Sequence, residues 1–398
     1  MSQTKLTVLG IAMLIFIMLG VAGGLLNIAW TYMQISFDVS VGAIGILLLV
    51  ATTGSLTAAM LSGTFIGRYG IGRVLLAAVT VAALGLFGIG LSPSWLIVLG
   101  VIFFMFIGRG MIDASLNNFV SENYGTTAMN WLHASWGLGL TIAPFVMTFV
   151  LIGLGQSWRV GYYLIGLVAL ILAGVLLLTL RQWTVQPDDD DSFDTPEKPK
   201  IMRASAREAL QQPAVLWSMV FFFCYGGVEI GTGQLVNTLF VLERGIPQET
   251  AGFWLSMYWG SFTVGRMLLG VIALRVGDTH LLRGGLLLAL FGGFLLILNP
   301  APIINMLALI GIGAGLAGVF PIFISQTPSR VGKRFSAQSI GFQVGFAGLG
   351  GAILPGIIGA LSEQIGLEMI AYGIFAVALM VVVIFEILTG RYPVAVPA

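Results

Sequence analysis

The sequence predicts an all-α integral membrane protein: twelve transmembrane helices in two pseudo-symmetric six-helix bundles. Three observations carry that prediction. Of 398 residues, 58% are hydrophobic and 9% charged, and the mean hydropathy is +1.00, where a soluble chain carries about 25% charged residues. The apolar runs divide the chain into about twelve stretches, each near the ~20 residues that cross a hydrocarbon core. Finally, Gly63–Gly70 after the second run and Gly270–Gly277 after the eighth both read Gly-x4-Arg-x-Gly, 207 residues apart. A pattern this short can recur by chance, but its identical topological place makes chance the poorer account. Parallel halves of this kind build secondary transporters whose site lies between them near the midplane.

The runs fall at 6–33, 40–66, 73–92, 95–121, 127–153 and 158–180, then at 213–242, 248–274, 280–299, 302–326, 335–362 and 367–389. The first is too long for the apolar core of a cleavable signal and reads as a span. One long polar segment, Arg181 to Gln212, separates the halves; it holds the acid run Asp188–Asp191, Pro187, Pro196 and Pro199, then Arg203 and Arg207 on a short amphipathic stretch. It reads as a solvated linker ending in an interfacial helix. The expected organisation is therefore a bundle at 1–180, a linker at 181–212 and a bundle at 213–398. Fourteen Lys and Arg fall on the N-terminal side of the spans, against Arg159 and Arg244 on the other, with Arg109 and Arg266 inside spans. Both termini and the linker are thus expected in the cytoplasm, and the chain in the cell membrane.

Composition also excludes. The net charge of +1 and the lack of a basic tract with interleaved aromatics argue against nucleic acid. The single Cys224 rules out an internal disulfide, and with two isolated His it leaves no metal constellation. There is no His-Glu-x-x-His helix, Gly-x-Ser-x-Gly elbow or Walker loop, so neither an enzyme nor an ATP-driven pump is expected, nor any cofactor. A monomer is expected.

The candidate functional residues are polar groups inside spans. In the fourth run Arg109, Asp113 and Asn117 stand at i, i+4 and i+8, one helical face. A charge at membrane depth costs at least ~2.5–3.5 kcal/mol, so this stripe is expected to line a solute path rather than face lipid. Asp113 lies about eight residues, roughly 12 Å, from the end of its run. Burial there favours the protonated acid that a proton carrier needs, whereas Arg109 favours the carboxylate. A coupling role and a permanent Arg109–Asp113 pair both stand. Glu229 in the seventh run is followed by Gln234 and Asn237, near enough on the helix to reach one cavity. Carboxylate and amides together suit a polyhydroxylated solute; the plainer alternative is a bond across helices for packing. Asn27 and Gln343 are further binding candidates inside their runs, and Trp30 and Trp259 are the aromatics best placed to stack on a sugar ring. Arg68 and Arg275 of the repeated loops, and His133 near the inner mouth, are read as gating residues, and Arg266 as structural.

The repeated loop resembles the signature loop of the major facilitator superfamily, with Gly67 at the place of its usual Asp. Finer likenesses point to the fucose permease branch. Gly110–Val120 is similar to its fourth-helix pattern of Gly, acid, Asn and Phe-Val, and Asn130–Gly139 resembles its fifth-helix start. Tyr225–Glu229 resembles its seventh-helix motif, and Trp259-Gly260 with Gly265-Arg266 its eighth. The resemblance implies sugar–proton symport by alternating access, with Asp113 as the coupling acid and Asn27 near the place of the branch's first-helix acid. Glu229 is a second candidate for proton coupling. Two other transport chemistries stay open: export of amphiphilic or cationic compounds by proton antiport with Glu229 as counter-ion, and carriage of an organic anion such as a sugar acid on Arg109. The expected partners are a small solute, protons and the lipid bilayer.

Overall fold

The computed structural model describes residues 3–183 and 205–393, without the side chains at 3, 4, 121, 122, 125–127, 130, 269–275 and 337. The acid run and the linker residues 184–204, including Lys198, Lys200 and Arg203, lie outside the described residues, as does the side chain of Arg275. All regular structure in the described residues is helical.

The first span is α1 (Gln3–Gly24) and α2 (Leu26–Phe37). Leu25 between them keeps helical dihedrals, φ −55° and ψ −38°, so the Gly23-Gly24 pair loosens the helix without ending it. The first half continues with α3 (Ala43–Tyr69), α4 (Ile71–Leu91), α5 (Trp95–Asn123), α6 (Gly125–Thr148) and α7 (Trp158–Leu178). After the five-residue α8 (Ala206–Leu210) come α9 (Pro213–Thr238), α10 (Gln248–Val276) and α11 (Asp278–Leu298). The tenth span is again two pieces, α12 (Pro302–Leu316) and α13 (Val319–Val331), followed by α14 (Lys333–Ile365) and α15 (Met369–Arg391). Counted this way the helices make twelve spans. Eleven are long and apolar enough to cross a membrane by composition alone among the described residues, and α10 is the twelfth.

The chain forms two compact units, Met1–Gln186 with Asn237–Gly260, and Pro187–Val236 with Ser261–Ala398. In the first, α1 lies along α6 with almost no side chain between them. A methyl group on Gly20 would collide with the Trp136 carbonyl, and one on Gly139 with the Ile17 carbonyl. Small residues at such a seam let backbones approach, which is how helices gain contact where lipid supplies no hydrophobic drive. The second unit repeats the device, with Gly226 against the Ala347 carbonyl and Gly350 against the Phe223 carbonyl joining α9 to α14. Its core is aromatic: Phe221 stacks on Phe323 at 4.5 Å, flanked by Phe222 and Phe385.

The duplicated octet is a backbone device. Its last glycine, Gly70 in one copy and Gly277 in the other, has φ +78° in both, with ψ 154° and 137°. That region is essentially closed to residues with a Cβ, and it turns one span sharply into the next. A short helix, α8, stands within the segment where the sequence leads one to expect a linker ending in an interfacial helix. Ser205 caps it, the Ser205 side chain and the Glu208 side chain satisfying each other's backbone N–H. Glu208 also binds Arg334 at the start of α14, at 2.9 Å.

Candidate functional site

The α5 stripe is held by its neighbours. Gly108 packs against the Ala78 carbonyl of α4, and Gly110 against Ala58 of α3. Arg109 lies between those two directions on the helix and reaches α1, where its Nη1 is 3.1 Å from the place of a Cβ on Gly23. Its guanidinium carbon stands 5.2 Å from the centre of the Phe106 ring. The Asp113 charge acts on Arg109, yet no ion pair within 4 Å joins the two among the described residues. Asp113 is exposed, and Arg109 and Asn117 are half-buried.

Asn27 and Trp30 stand one turn apart on α2, both buried. Trp30 tilts against Trp95 at 5.8 Å. Neither the amide nitrogen nor the amide oxygen of Asn27 has a hydrogen-bond partner, and neither does the Trp30 indole N–H. The next residue, Thr31, enters a closed network. Its hydroxyl lies 3.0 Å from that of Thr238 and accepts from the Asn237 amide nitrogen at 2.9 Å. Asn237 and Gln248 exchange amide bonds of 3.3 and 3.1 Å, and the Tyr32 hydroxyl donates to the Gln248 oxygen at 3.1 Å. Thr31, Asn237, Thr238 and Gln248 are all buried. Asn237, expected to bind solute, is thus committed to Thr31 and Gln248 in this conformation. Trp259, in the same unit, is buried and meets Tyr258 edge-on at 4.8 Å.

In the second unit, the half-buried Glu229 interacts with Tyr225, one turn earlier on α9, and feels the charge of Arg266 on α10. The partner that sequence proximity lacked is therefore supplied by the next span. Arg266 is oriented by an Nε–H bond to the Ala317 carbonyl at 3.2 Å and by the Phe262 ring 4.3 Å beneath it. Gln234 is buried with its side-chain oxygen unpartnered. The Gln343 oxygen accepts from Thr327 at 3.1 Å.

Of the proposed gating residues, His133 is exposed and edges against Phe16, and Arg68 is exposed over the Tyr69 ring. An open cleft of 350 Å³ in the first unit is lined by Tyr32, Ser36, Gln156 and Trp158 among others, and by none of the expected binding residues. Sequence reasoning missed Thr31, Thr238 and Gln248. The two threonines, though, are 207 positions apart, the same offset as the repeated octets, so the repeat itself held the signal. No cluster of three or more potential metal ligands occurs among the described residues.

The family model described as the Major Facilitator Superfamily matches residues 12–355. The glucose/mannose transporter GlcP of Bacillus subtilis is 23% identical, over 87% of this chain and 86% of its own. The sodium-dependent glucose transporter 1A of Mus musculus is 22% identical over 94% of each. The 3-(3-hydroxy-phenyl)propionate transporter of Escherichia coli K12 is 26% identical over 85% of this chain and 81% of its own. Among solved structures, a bacterial homolog to the human lysosomal transporter Spinster, inward-facing and occupied, superposes with a TM-score of 0.81 at 14% identity, covering 100% of both chains. Twelve spans, a duplicated loop and a family match over most of the length lead to one conclusion: the chain is a multi-pass membrane transporter, not an enzyme, and belongs to the Major Facilitator Superfamily.

Proposed function

We propose that the chain couples the movement of a neutral sugar or sugar derivative to protons by alternating access, as a monomer in the cell membrane with both termini cytoplasmic. Its halves would be 1–180 and 213–398, joined by the linker 181–212. The observation that carries the substrate class is the set of buried polar groups left without partners: both ends of the Asn27 amide, the Trp30 indole N–H and the Gln234 oxygen. Each such group costs about 1–3 kcal/mol while unsatisfied. Hydroxyls both donate and accept, so a polyhydroxylated solute offers partners to unsatisfied groups of either kind. A lipophilic cation relieves none of the donors. Similarity to carriers named for glucose and mannose supports the same class. Asn117, Trp259 and Gln343 join this binding set.

Coupling is assigned to Asp113 and Glu229. Each acid acts on an Arg, Asp113 on Arg109 and Glu229 on Arg266. Protonating either acid releases a cation from its counter-charge and changes the local balance by one unit, which is what links a proton to a conformational equilibrium. The Thr31–Asn237–Thr238–Gln248 network closes the extracellular end of its spans. Arg68, Arg275 and His133 are assigned to the cytoplasmic end.

The deciding experiment uses purified protein in proteoliposomes. Asp113→Asn should lose proton-driven accumulation of labelled sugar while keeping counterflow. Accumulation by that variant at the wild-type level overturns its coupling role, and accumulation driven by a sodium gradient alone overturns the choice of proton.

A second substrate class has its own support. Arg109 reaches Gly23 with no ion pair within 4 Å to Asp113, and the relative named for 3-(3-hydroxy-phenyl)propionate is 26% identical. An organic carboxylate would sit on that guanidinium. Thermal stabilisation by carboxylates rather than neutral sugars, lost in Arg109→Gln, would decide for it.

A further inference from the structure

Arg330 stands one residue before the end of α13 in the second unit and is 9% exposed. Its guanidinium is held on two sides: the carbon sits 4.3 Å over the Phe323 ring, and Nη2 donates to the Gln326 oxygen at 3.0 Å. The Nε and Nη1 groups are buried and have no acceptor. A guanidinium carries five N–H donors, and these two nitrogens hold three of them. No acidic side chain among the described residues bears on its charge. A cation in this state is costly, because burial removes its water and nothing replaces it.

The facing helix carries unsatisfied polar groups of its own. The bond from Thr327 to Gln343 fixes the register of α13 against α14, which returns from the turn at Gly332. One turn toward that connection, Arg330 on α13 comes level with Ser339 on α14. The Ser339 hydroxyl is fully buried and unpartnered, as is the side-chain oxygen of the neighbouring Gln338. These groups lie about one turn nearer the α13–α14 turn than Gln343, which belongs to the solute-binding set.

We infer that the Arg330 guanidinium, with the Ser339 hydroxyl, forms a binding site for a phosphate group. The chemistry favours phosphate because unsatisfied donors lie on more than one edge of the guanidinium, and a tetrahedral oxyanion offers acceptors to several of them at once. The depth favours it too. Arg330 is at the end of its span, with Lys333 and Arg334 exposed just beyond, where the phosphates of lipid headgroups lie. The source is the headgroup of an anionic lipid or a free phosphate.

The test uses the delipidated full chain in detergent, with phosphatidylglycerol against phosphatidylcholine in one arm and inorganic phosphate against chloride at equal ionic strength in the other. Wild type should melt about 2 °C or more higher with one of the phosphate probes, and native mass spectrometry should show it retaining phosphatidylglycerol if the source is lipid. The shift should vanish in Arg330→Gln and persist in Arg334→Gln. A response to phosphatidylglycerol alone assigns the site to lipid; a response to inorganic phosphate assigns it to a free oxyanion. Should Arg330→Gln not fold, Ser339→Ala should weaken the wild-type titration severalfold. No shift in wild type with either probe, or a shift undiminished in the Arg330 or Ser339 variant, overturns the site.

Discussion

At the scale of single residues, several groups that the proposed function needs are costly to the fold. Asn27 is buried with both ends of its amide unsatisfied. Leucine has the same number and branching of side-chain heavy atoms and no polar atom. Asn27→Leu should therefore raise the melting temperature while abolishing uptake, because the penalty of about 1–3 kcal/mol per orphaned group disappears along with the solute's partner. A lower melting temperature would show that the amide is satisfied in the protein. Gly23→Val tests Arg109 from the opposite side. Its first carbon would stand 3.1 Å from Nη1, so the guanidinium has to give way by a few tenths of an ångström, and the two methyl groups beyond add to the crowding. A loss of roughly tenfold in kcat/KM, about 1.4 kcal/mol, is expected with unchanged expression. Uptake at the wild-type level would mean that the position of that cation does not matter. Arg109, Asp113 and Glu229 were legible in the sequence because a charge in an apolar run has few reasons to be there. The tie between Glu229 and Arg266 was not, since it depends on how two spans rotate against each other.

At the scale of elements, the spans were legible in number and order, while their ends and joints were not. The first span extends to Phe37 instead of stopping near Met33, because the polar residues of its last turn are packed: Gln34 is buried, and the Ser36 hydroxyl accepts from the Trp158 indole N–H at 3.1 Å. The repeated octet looked like a charged loop, but its constant feature is the φ of its last glycine. Gly70→Ala or Gly277→Ala should each cost about 1–3 kcal/mol through backbone strain, read as a fall in melting temperature, whereas Gly63→Ala, with open space around it, should cost far less. The Thr31 network ties three helices. Thr31→Val leaves Thr238 and one Asn237 donor short, and about 1–3 kcal/mol should move the equilibrium toward the state in which this end is parted. Hydrogen exchange in 27–37 and 234–248 should quicken accordingly; unchanged protection would refute the latch. The α8 helix has a pH signature. The Ser205 backbone N–H, and secondarily the Arg334 guanidinium, hold the Glu208 carboxyl below the ordinary glutamate range. A lowered folded value means that its contribution is present at neutral pH and is lost as pH falls through the acid range. Exchange protection of α8 should drop there, and Arg334→Gln should move the midpoint only part of the way back.

At the scale of the whole molecule, the number of spans and their duplication followed from hydropathy and one repeated octet, because a bilayer permits few ways to satisfy a backbone. Which polar residues are spent on holding helices and which stay unpartnered is a property of packing. For that reason Asn237 and Asn27 look alike in sequence and differ in the structure. Flux measurements on the intact protein should separate the two roles: variants at Asn27 or Trp30 should change which solutes are carried, and variants at Thr31 or Gln248 should change turnover for all solutes alike. A Thr31 variant that altered selectivity instead would merge the roles. The network has one more consequence. Thr31, Tyr32, Asn237, Thr238 and Gln248 are all uncharged at neutral pH, so parting them carries no formal charge through the electric field of the membrane, where one elementary charge is worth about 2.3 kcal/mol per 100 mV. Voltage therefore gains no purchase at that end of the helices, and any current that accompanies turnover has to arise where Asp113, Arg109, Glu229 and Arg266 rearrange.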